Sequence, residues 1–178
     1  TFTSPLTLPL LVFSEPGIIV KKNVIGVLGE NGIGKTTFVK ILAGAEKTNK
    51  GKVNGDVKVS YKPQYINTES EELVRVVLET AIEKLDSLVI KPLNLDPLFD
   101  KKICNLSGGQ LQRVAIADCL QRNANLYLLD EPSAYLDVEQ RLLVSKVIGN
   151  FMEHKGASAL IVDHDLLFLD YLSKTIMV

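Results

Sequence analysis

The chain has 178 residues, the length of one domain and enough to bury a hydrophobic core. Its 46% hydrophobic and 23% charged residues are typical of a globular domain. A net charge of −1 supplies no overall positive field, so the chain is not one of the strongly basic proteins that bind nucleic acids through phosphates. The apolar segment 1–13 is too short to span a bilayer and lacks the preceding positive charges of a signal peptide.

The two cysteines, Cys104 and Cys119, have no Cys-x-x-Cys spacing and predict neither a metal site nor a disulfide framework. Cys119 falls within an apolar helical pattern, so we expect it to be a small buried core residue. This use of cysteine favours a reducing compartment, and we expect a cytoplasmic protein without membrane insertion.

The first third of the chain predicts two strands and one helix. Val24–Leu28 is a short apolar run typical of a buried strand, and residues 35–45 predict a helix. Within residues 56–64, the alternating apolar positions Val57, Val59 and Tyr61 predict a half-buried strand.

The remainder of the chain predicts further alternation of helices and strands. Helical spacing of apolar residues predicts a helix over 71–85, and a segment with two prolines at 91–102 ends it. Leu126–Asp130 and Ser158–Asp163 are apolar runs that predict buried strands, with helices at 110–123, around 144–151 and at 166–172. Apolar strands alternating with helices predict an α/β fold with a mainly parallel sheet flanked by helices. Ligand sites in such sheets lie at the C-terminal ends of the strands.

Residues 29–36 read GENGIGKT and match the pattern G-x-x-x-x-G-K-[ST], between a predicted strand and a predicted helix. Glycines let the backbone close around a phosphate, and N–H groups at the helix start point at its negative charge. We expect Lys35 to reach the β- and γ-phosphates and the Thr36 hydroxyl to bind Mg²⁺. A glycine-rich turn without a ligand is the alternative, which this strand–loop–helix context disfavours. The expected nucleotide contacts in this segment are Gly29, Glu30, Asn31, Gly32, Ile33, Gly34, Lys35, Thr36 and Thr37.

The strand at 126–130 ends in two adjacent carboxylates, Asp130 and Glu131. An apolar strand that ends in Asp, downstream of a phosphate loop, is the Walker B arrangement, in which we expect Asp130 to hold magnesium through water. The chain turns at a strand end, so Glu131 can face the same site, and we expect it to polarise the attacking water. A strand that merely exits into solvent would also carry acids, but the phosphate loop favours a site.

Residues 106–113 read LSGGQLQR and place a serine and two glycines at the start of a predicted helix. Each glycine inside a helix costs about 1 kcal/mol relative to alanine, so the pair needs a reason. An ordinary serine cap accounts for Ser107 alone. That cap leaves the two adjacent glycines, Gly108 and Gly109, unexplained.

The motifs GENGIGKT, LSGGQLQR, LYLLDEP, SAYLD and the histidine of IVDHD, in this order, resemble those of the ATP-binding cassette (ABC) ATPase family. The resemblance covers about residues 18–178 and implies a P-loop NTPase fold of ABC type. It implies a single nucleotide-binding domain with a core at 1–67 and 106–178 and a helical arm inserted at about 68–105. LSGGQ is then implied to bind the γ-phosphate of ATP held by a second, facing cassette, in the same polypeptide or in a dimer. In this interpretation the two glycines let the phosphate approach the helix N-terminus, and Ser107 donates a hydrogen bond to it.

The resemblance also assigns roles to residues that spacing alone does not. It implies that Gln64 contacts magnesium and water, that His164 contacts the γ-phosphate, and that Asp137 faces the partner cassette. The implied cofactors are ATP and Mg²⁺, and the implied reaction is hydrolysis of ATP to ADP and phosphate. The implied catalytic residues are Lys35, Gln64, Glu131 and His164; the implied magnesium ligands are Thr36, Gln64 and Asp130; the implied contacts to the partner's nucleotide are Ser107, Gly108, Gly109, Gln110 and Asp137.

The run SAYLDVEQR at 133–141 differs from the form usual in transporters and resembles the ribosome-recycling (RNase L inhibitor) branch of the family, in particular its second cassette. We therefore expect part of a longer two-cassette protein that acts on ribosomes, with weak ATPase activity from this chain alone. The alternatives are the ATPase subunit of a membrane transporter and a nucleotide-binding module without hydrolysis. The presence of Gln64, Glu131 and His164 disfavours the second alternative.

Overall fold

The computed structural model describes residues 24–28, 35–44, 58–64, 69–173 and 175–177. In these residues five strands form one sheet in the order β2-β3-β4-β1-β5, and all neighbouring strands are parallel. The strands are β1 Val24–Val27, β2 Val59–Lys62, β3 Leu126–Asp130, β4 Ser158–Val162 and β5 Thr175–Met177. The prediction of a parallel sheet flanked by helices is confirmed.

Six α-helices are described: α1 Lys35–Leu42, α2 Val74–Val77, α3 Glu79–Lys84, α4 Gly108–Gln121, α5 Val138–Lys155 and α6 Leu166–Leu172. A π-helical turn at Asp86–Ile90 and two 3₁₀ turns at Asp96–Leu98 and Ile103–Asn105 connect α3 to α4. Within the described ranges, no helix combines the length and apolar character needed to cross a membrane.

The side chains of β3 are buried on both faces of the sheet, and helices cover both faces. Tyr127 and Leu129 join the larger hydrophobic cluster, where the Tyr127 ring meets the edge of Phe151 on α5 with 5.4 Å between centroids. Leu128 points to the opposite face and joins a smaller cluster with Val39 on α1. Since successive side chains of a strand face opposite sides, a strand covered on both sides must be apolar throughout.

The prediction of one helix over residues 71–85 is wrong. Two short helices, α2 and α3, occupy this segment, with Leu78 between them at φ −103° and ψ 18°. Of the four apolar positions whose spacing predicted this helix, Leu78 and Ala81 are fully buried and Ile82 and Leu85 are half-buried.

The start of α2 is tied to a distant segment, since the Val74 N–H donates to the carbonyl of Lys101 over 3.0 Å. At the break, Gln121 of α4 replaces a helical hydrogen bond, because its Nε2 donates to the Val77 carbonyl over 2.7 Å and its Oε1 accepts from the Ala81 N–H over 3.0 Å. Neither long-range contact has a signal in the local pattern.

The apolar alternation in β2 misidentified the more buried face. Val59 and Tyr61 are half-buried, whereas Ser60 and Lys62 are each 1% exposed. Helix α4 covers this second face, and the Ser60 hydroxyl donates to the main-chain carbonyl of Cys119 on α4 over 2.8 Å. Cys119 is itself 1% exposed, as predicted for a core cysteine.

Candidate active site

The sheet brings together the ends of three strands that lead to predicted motifs. In the order β3-β4-β1, the C-terminal ends of neighbouring parallel strands lie side by side. Strand β3 leads to Asp130 and Glu131, and β4 leads to His164. Strand β1 leads to the phosphate-loop residues 29–34, which lie outside the described residues, as does the side chain of Lys35.

Thr36 and Asp130 connect the start of α1 to the end of β3. The Thr36 hydroxyl donates to Asp130 Oδ1 over 3.3 Å. Asp130 is 0% exposed, and its second oxygen, Oδ2, accepts no hydrogen bond from the described residues. Burial raises the pKa of Asp130, while the Thr36 hydrogen bond acts to lower it. A buried carboxylate oxygen without a donor fits Mg²⁺ or a water bound to it.

The surroundings of Asp130 suit Mg²⁺, which keeps part of its coordination for water and phosphate, better than a cation bound entirely by protein side chains. The described part of the chain has no group of three or more His, Cys, Asp or Glu side chains able to hold a metal. Mg²⁺ usually keeps several waters and binds through one or two protein oxygens together with phosphate oxygens. A hydroxyl beside a single carboxylate is therefore a suitable protein contribution.

Glu131 is held in an unusual main-chain conformation. Its φ of 46° lies in the left-handed region, which residues other than glycine seldom adopt. Its N–H donates to the Val162 carbonyl over 2.7 Å, and its carbonyl accepts from Gln112 Nε2 over 2.7 Å. Neighbouring strand β4 and helix α4 thus fix the direction in which the Glu131 side chain leaves the main chain.

Sequence reasoning missed Gln112, which is 1% exposed. It lies one turn after the glycines of LSGGQ and carries the amide that holds Glu131. The available signal was a polar residue between the apolar Leu111 and Val114 on the inner side of a predicted helix. A buried polar side chain needs a hydrogen-bond partner, and here that partner is main chain next to the site.

The LSGGQ segment forms a capped helix start. Ser107 is the N-cap of α4, and its hydroxyl oxygen accepts from the Gln110 N–H over 3.4 Å. The Gln110 side chain accepts from the Ser107 N–H over 3.2 Å, which completes a capping box. An added Cβ would lie 3.1 Å from the Tyr135 ring at Gly108 and 3.0 Å from the Tyr135 carbonyl at Gly109. The glycines thus also let the turn after β3 pack against α4.

His164 is presented by a firmly held loop. Asp163 is 0% exposed and accepts from Ser133 twice, from its hydroxyl at 2.8 Å and from its N–H at 3.0 Å. The Asp165 N–H also donates to Asp163, over 3.0 Å. The His164 side chain is 58% exposed, with Nδ1 3.7 Å from Asp163 Oδ1. Neither Asp163 nor Ser133 was predicted as a site residue.

Lys62 is a further residue that the sequence did not single out. Its ammonium donates to the Asp130 carbonyl over 2.9 Å and to the Pro63 carbonyl over 3.1 Å. Burial lowers the pKa of Lys62 to about 8, and the charge of Asp130 acts to raise it. Gln64, which is half-buried, follows two residues later, so Lys62 joins the segment that carries Gln64 to the end of β3.

Residues 107–110 of the LSGGQ segment are not bonded to the site at Thr36 and Asp130 within the described part of this chain. No hydrogen bond or ion pair among the described residues connects residues 107–110 to Thr36 or Asp130. Ser107 and Gly108 are exposed, and so is Asp137, which caps α5 by accepting from the Gln140 N–H over 2.8 Å. These residues are open to a second molecule or domain.

A parallel sheet with a phosphate-loop sequence after β1 and a buried carboxylate after β3 defines a P-loop nucleoside-triphosphate-binding domain. The family model described as ABC transporter matches residues 18–134, and the chain belongs to this family. The predicted resemblance to ABC cassettes is confirmed.

The relatives of the chain include translation factors. It is 54% identical over 168 residues to an uncharacterized ABC transporter ATP-binding protein of Methanocaldococcus jannaschii, covering 91% of this chain and 28% of that protein. It is 42% identical over 170 residues to translation initiation factor RLI1 of Saccharomyces cerevisiae, covering 92% and 28%. The solved structure of an archaeal ribosome recycling factor in complex with a ribosomal stalk protein matches with a TM-score of 0.84 and 52% identity, covering 88% of this chain and 32% of that chain. The chain thus spans less than a third of the length of these relatives, and its homology to the ribosome-recycling branch is confirmed.

Proposed function

We propose that this chain is an ATP-hydrolysing cassette that closes on a second cassette and drives a conformational change in ribosome recycling. The observation that carries the hydrolytic part is the end of β3. There the buried Asp130 has one oxygen against the Thr36 hydroxyl and one that no described residue donates to, next to Glu131 in a fixed main-chain conformation. The division into a core at 1–67 and 106–178 and an arm at about 68–105 is part of this proposal.

Residues 29–37 bind the triphosphate in the proposed mechanism, with Lys35 at the β- and γ-phosphates. Thr36, Asp130 and Gln64 would hold Mg²⁺, which when bound neutralises charge on the phosphate oxygens. The Glu131 carboxylate orients a water and accepts its proton as the water oxygen attacks the γ-phosphorus. The bond from that phosphorus to the β–γ bridging oxygen breaks, which yields ADP and phosphate.

His164 and Gln64 complete the arrangement from two sides in this proposal. His164 would donate to a γ-phosphate oxygen, and Gln64 would contact the water and the magnesium. The exposure of His164 and the position of Gln64 just after β2 support these roles, since both side chains remain accessible to a ligand at the sheet edge.

A second cassette is part of the proposal because the LSGGQ segment is accessible to another domain. The N-terminus of α4 carries a serine and the N–H groups of Gly108 and Gly109, which donate to no acceptor among the described residues and together suit the γ-phosphate of a nucleotide on another cassette. A single chain would then contribute half of each of two sites. We expect weak turnover by the isolated chain, rising with protein concentration.

The proposed work on ribosomes is supported by relatives that are named as a translation initiation factor and a ribosome recycling factor. We place this chain as the second cassette of a longer two-cassette protein with the ribosome as partner and the cytoplasm as location. A transporter ATPase subunit is the competing function.

The test uses the complete protein that carries this cassette, with Glu131→Gln and with ATP and Mg²⁺. We expect the variant to retain ATP, lose steady hydrolysis and co-sediment with the small ribosomal subunit only when ATP is present. Glu153→Gln, at an exposed glutamate of α5, is the matched control and should behave like the parent. A variant that stays off ribosomes and partitions with membranes would favour the transporter function. A Glu131→Gln protein that hydrolyses ATP like the parent would refute the role of Glu131.

A further inference from the structure

His164 lies between two aspartates, and both are held by one segment of the chain. Ser133 binds Asp163 through its hydroxyl and its N–H, at 2.8 and 3.0 Å. Arg141 binds Asp165, with Nη1 2.6 Å from Oδ2. The segment 133–141 connects the end of β3 to α5. The residues on both sides of His164 are therefore hydrogen-bonded to the segment that follows Asp130 and Glu131.

Arg141 has a second partner in that same turn. Its Nε donates to the main-chain carbonyl of Leu136 over 3.0 Å. Leu136 is buried and immediately precedes the exposed Asp137. A guanidinium presents its donors in a rigid planar fork, so one arginine can hold the turn at Leu136 and the carboxylate of Asp165 in a fixed relation.

Both oxygens of the Asp165 carboxylate accept a hydrogen bond. Oδ1 accepts from the Phe168 N–H over 3.0 Å and caps α6, while Oδ2 accepts from Arg141. The Asp165 side chain is 14% exposed, so this ion pair is less screened by solvent than an ordinary surface pair. His164 itself is mostly exposed, so its position depends on the two flanking aspartates.

We propose that Arg141 is a positioning residue for His164. It ties the partner-facing turn at Leu136–Asp137 to the loop that presents His164, so the docking of a facing cassette on this turn sets the place of the histidine. The inference rests on the proposed function and deepens it, because it gives a route by which closure of the two cassettes would affect the residue proposed to contact the γ-phosphate.

The test measures kcat and the KM for ATP in the complete protein. Arg141→Gln and Asp165→Asn should each lower kcat about tenfold and leave KM within about twofold, because a small misplacement of a catalytic group mainly affects turnover. Asparagine caps a helix about as well as aspartate, so Asp165→Asn removes the ion pair and keeps the cap of α6. Arg141→Lys, which keeps the charge without the fork, should fall between parent and Arg141→Gln.

The decisive comparison places Arg141→Gln in a His164→Ala background. If Arg141 acts through His164, the arginine substitution should have no further effect on kcat there, since effects that share one route do not add. Arg75→Gln is the matched control, because Arg75 also pairs with an aspartate, Asp100, but in the segment between β2 and α4. This control should keep the parental kcat and KM.

An active parent whose Arg141→Gln and Asp165→Asn variants keep the parental kcat would overturn the inference alone. An equal loss of kcat in the presence and absence of His164 would overturn it as well. If Arg141→Gln does not fold, Asp165→Asn decides between the outcomes. A parent without any ATPase activity would overturn the proposed function together with the inference.

Discussion

The ammonium group of Lys62 lies 2.9 Å from the main-chain carbonyl of Asp130 and donates a hydrogen bond to it. The lysine is 1% exposed and also donates to the Pro63 carbonyl. Burial of a charged group is unfavourable unless hydrogen bonds compensate it. The ends of β2 and β3 are therefore joined by a buried cation at the point where the acidic site begins.

Replacing Lys62 with Met should destabilise the cassette by about 1 to 2 kcal/mol. The substitution leaves the buried Asp130 carbonyl without its donor, an effect of about 1–3 kcal/mol, and relief of the buried charge offsets part of it. Thermal or urea unfolding of the purified protein measures the change. Lys102→Met, at an exposed lysine that pairs with Glu71, is the control and should change stability by less than about 0.5 kcal/mol. A Lys62→Met protein as stable as the parent would contradict the prediction.

Replacing Gln112 with Leu should lower kcat about tenfold and leave ATP binding unchanged. The reason is that the Gln112 amide fixes the carbonyl of Glu131, whose left-handed conformation has no other donor from α4 in the described chain. Steady-state kinetics and equilibrium nucleotide binding measure the two quantities separately.

Gln121 is the matched control for Gln112. It lies on the same helix and also donates to a main-chain carbonyl over 2.7 Å, but to Val77 in α2. Gln121→Leu should weaken the packing of the segment between β2 and α4 and lower stability, with kcat close to that of the parent. Equal losses of kcat in both variants would show that the effect of Gln112 is general destabilisation.

Gly109→Ala should be more harmful to stability than Gly108→Ala. At Gly109 the new Cβ meets the main-chain carbonyl of Tyr135 at 3.0 Å, which cannot move without shifting the turn. At Gly108 it meets Tyr135 Cγ at 3.1 Å and Tyr135 Cβ at 3.2 Å, side-chain atoms of a residue that is 73% exposed and needs to shift by only a few tenths of an ångström. Alanine gains about 1 kcal/mol over glycine in a helix, which should offset the milder contact but not the tighter one. Unfolding of both variants tests the order, and a more stable Gly109→Ala would reverse it.

The two cysteines should differ sharply towards a thiol reagent. Cys104 is exposed, whereas burial raises the pKa of Cys119 from 9.0 to about 11. At pH 8 a maleimide should label the peptide with Cys104 rapidly and the peptide with Cys119 only after denaturation, as read by mass spectrometry. Rapid labelling of Cys119 in the native protein would contradict its burial.

The pH dependence from Cys119 has a definite sign. Its pKa is higher in the folded state, so between pH 9 and 11 the folded chain keeps a proton that the unfolded chain releases. This contribution to stability is complete below pH 9 and declines as the pH rises through 11. Unfolding of a Cys119→Ala variant should lack this decline.

The residues at the C-terminal ends of the strands could be predicted because each motif is a short, continuous stretch of sequence. Asp130 ends an apolar run that becomes β3, and the fixed strand–acid order needs no knowledge of distant neighbours. The same is true of Ser107, since a capping box depends on residues three apart in the chain. The roles of the phosphate-loop residues and of Gln64 and His164 stay predictions.

The residues that the sequence missed take their importance from contacts far apart in the chain. Lys62 looked like the outward side of an alternating strand, and only the packing of α4 on β2 buries it. Arg141 entered the sequence analysis only as the last residue of the run at 133–141, and its partner Asp165 lies 24 positions later. Local periodicity carries no information about such long-range partners. The prediction of one continuous helix over 71–85 was wrong for the same reason.

The capping box at Ser107 has a consequence for ligand arrival. A hydroxyl has one proton to give and two lone pairs to receive, and the contact with the Gln110 N–H engages only a lone pair. The proton stays available, so an incoming phosphate would add a bond without dissolving the one that holds the helix start. Recognition at this position then proceeds on a surface that is already in its final shape, and the ordering of the serine is complete before any second cassette approaches.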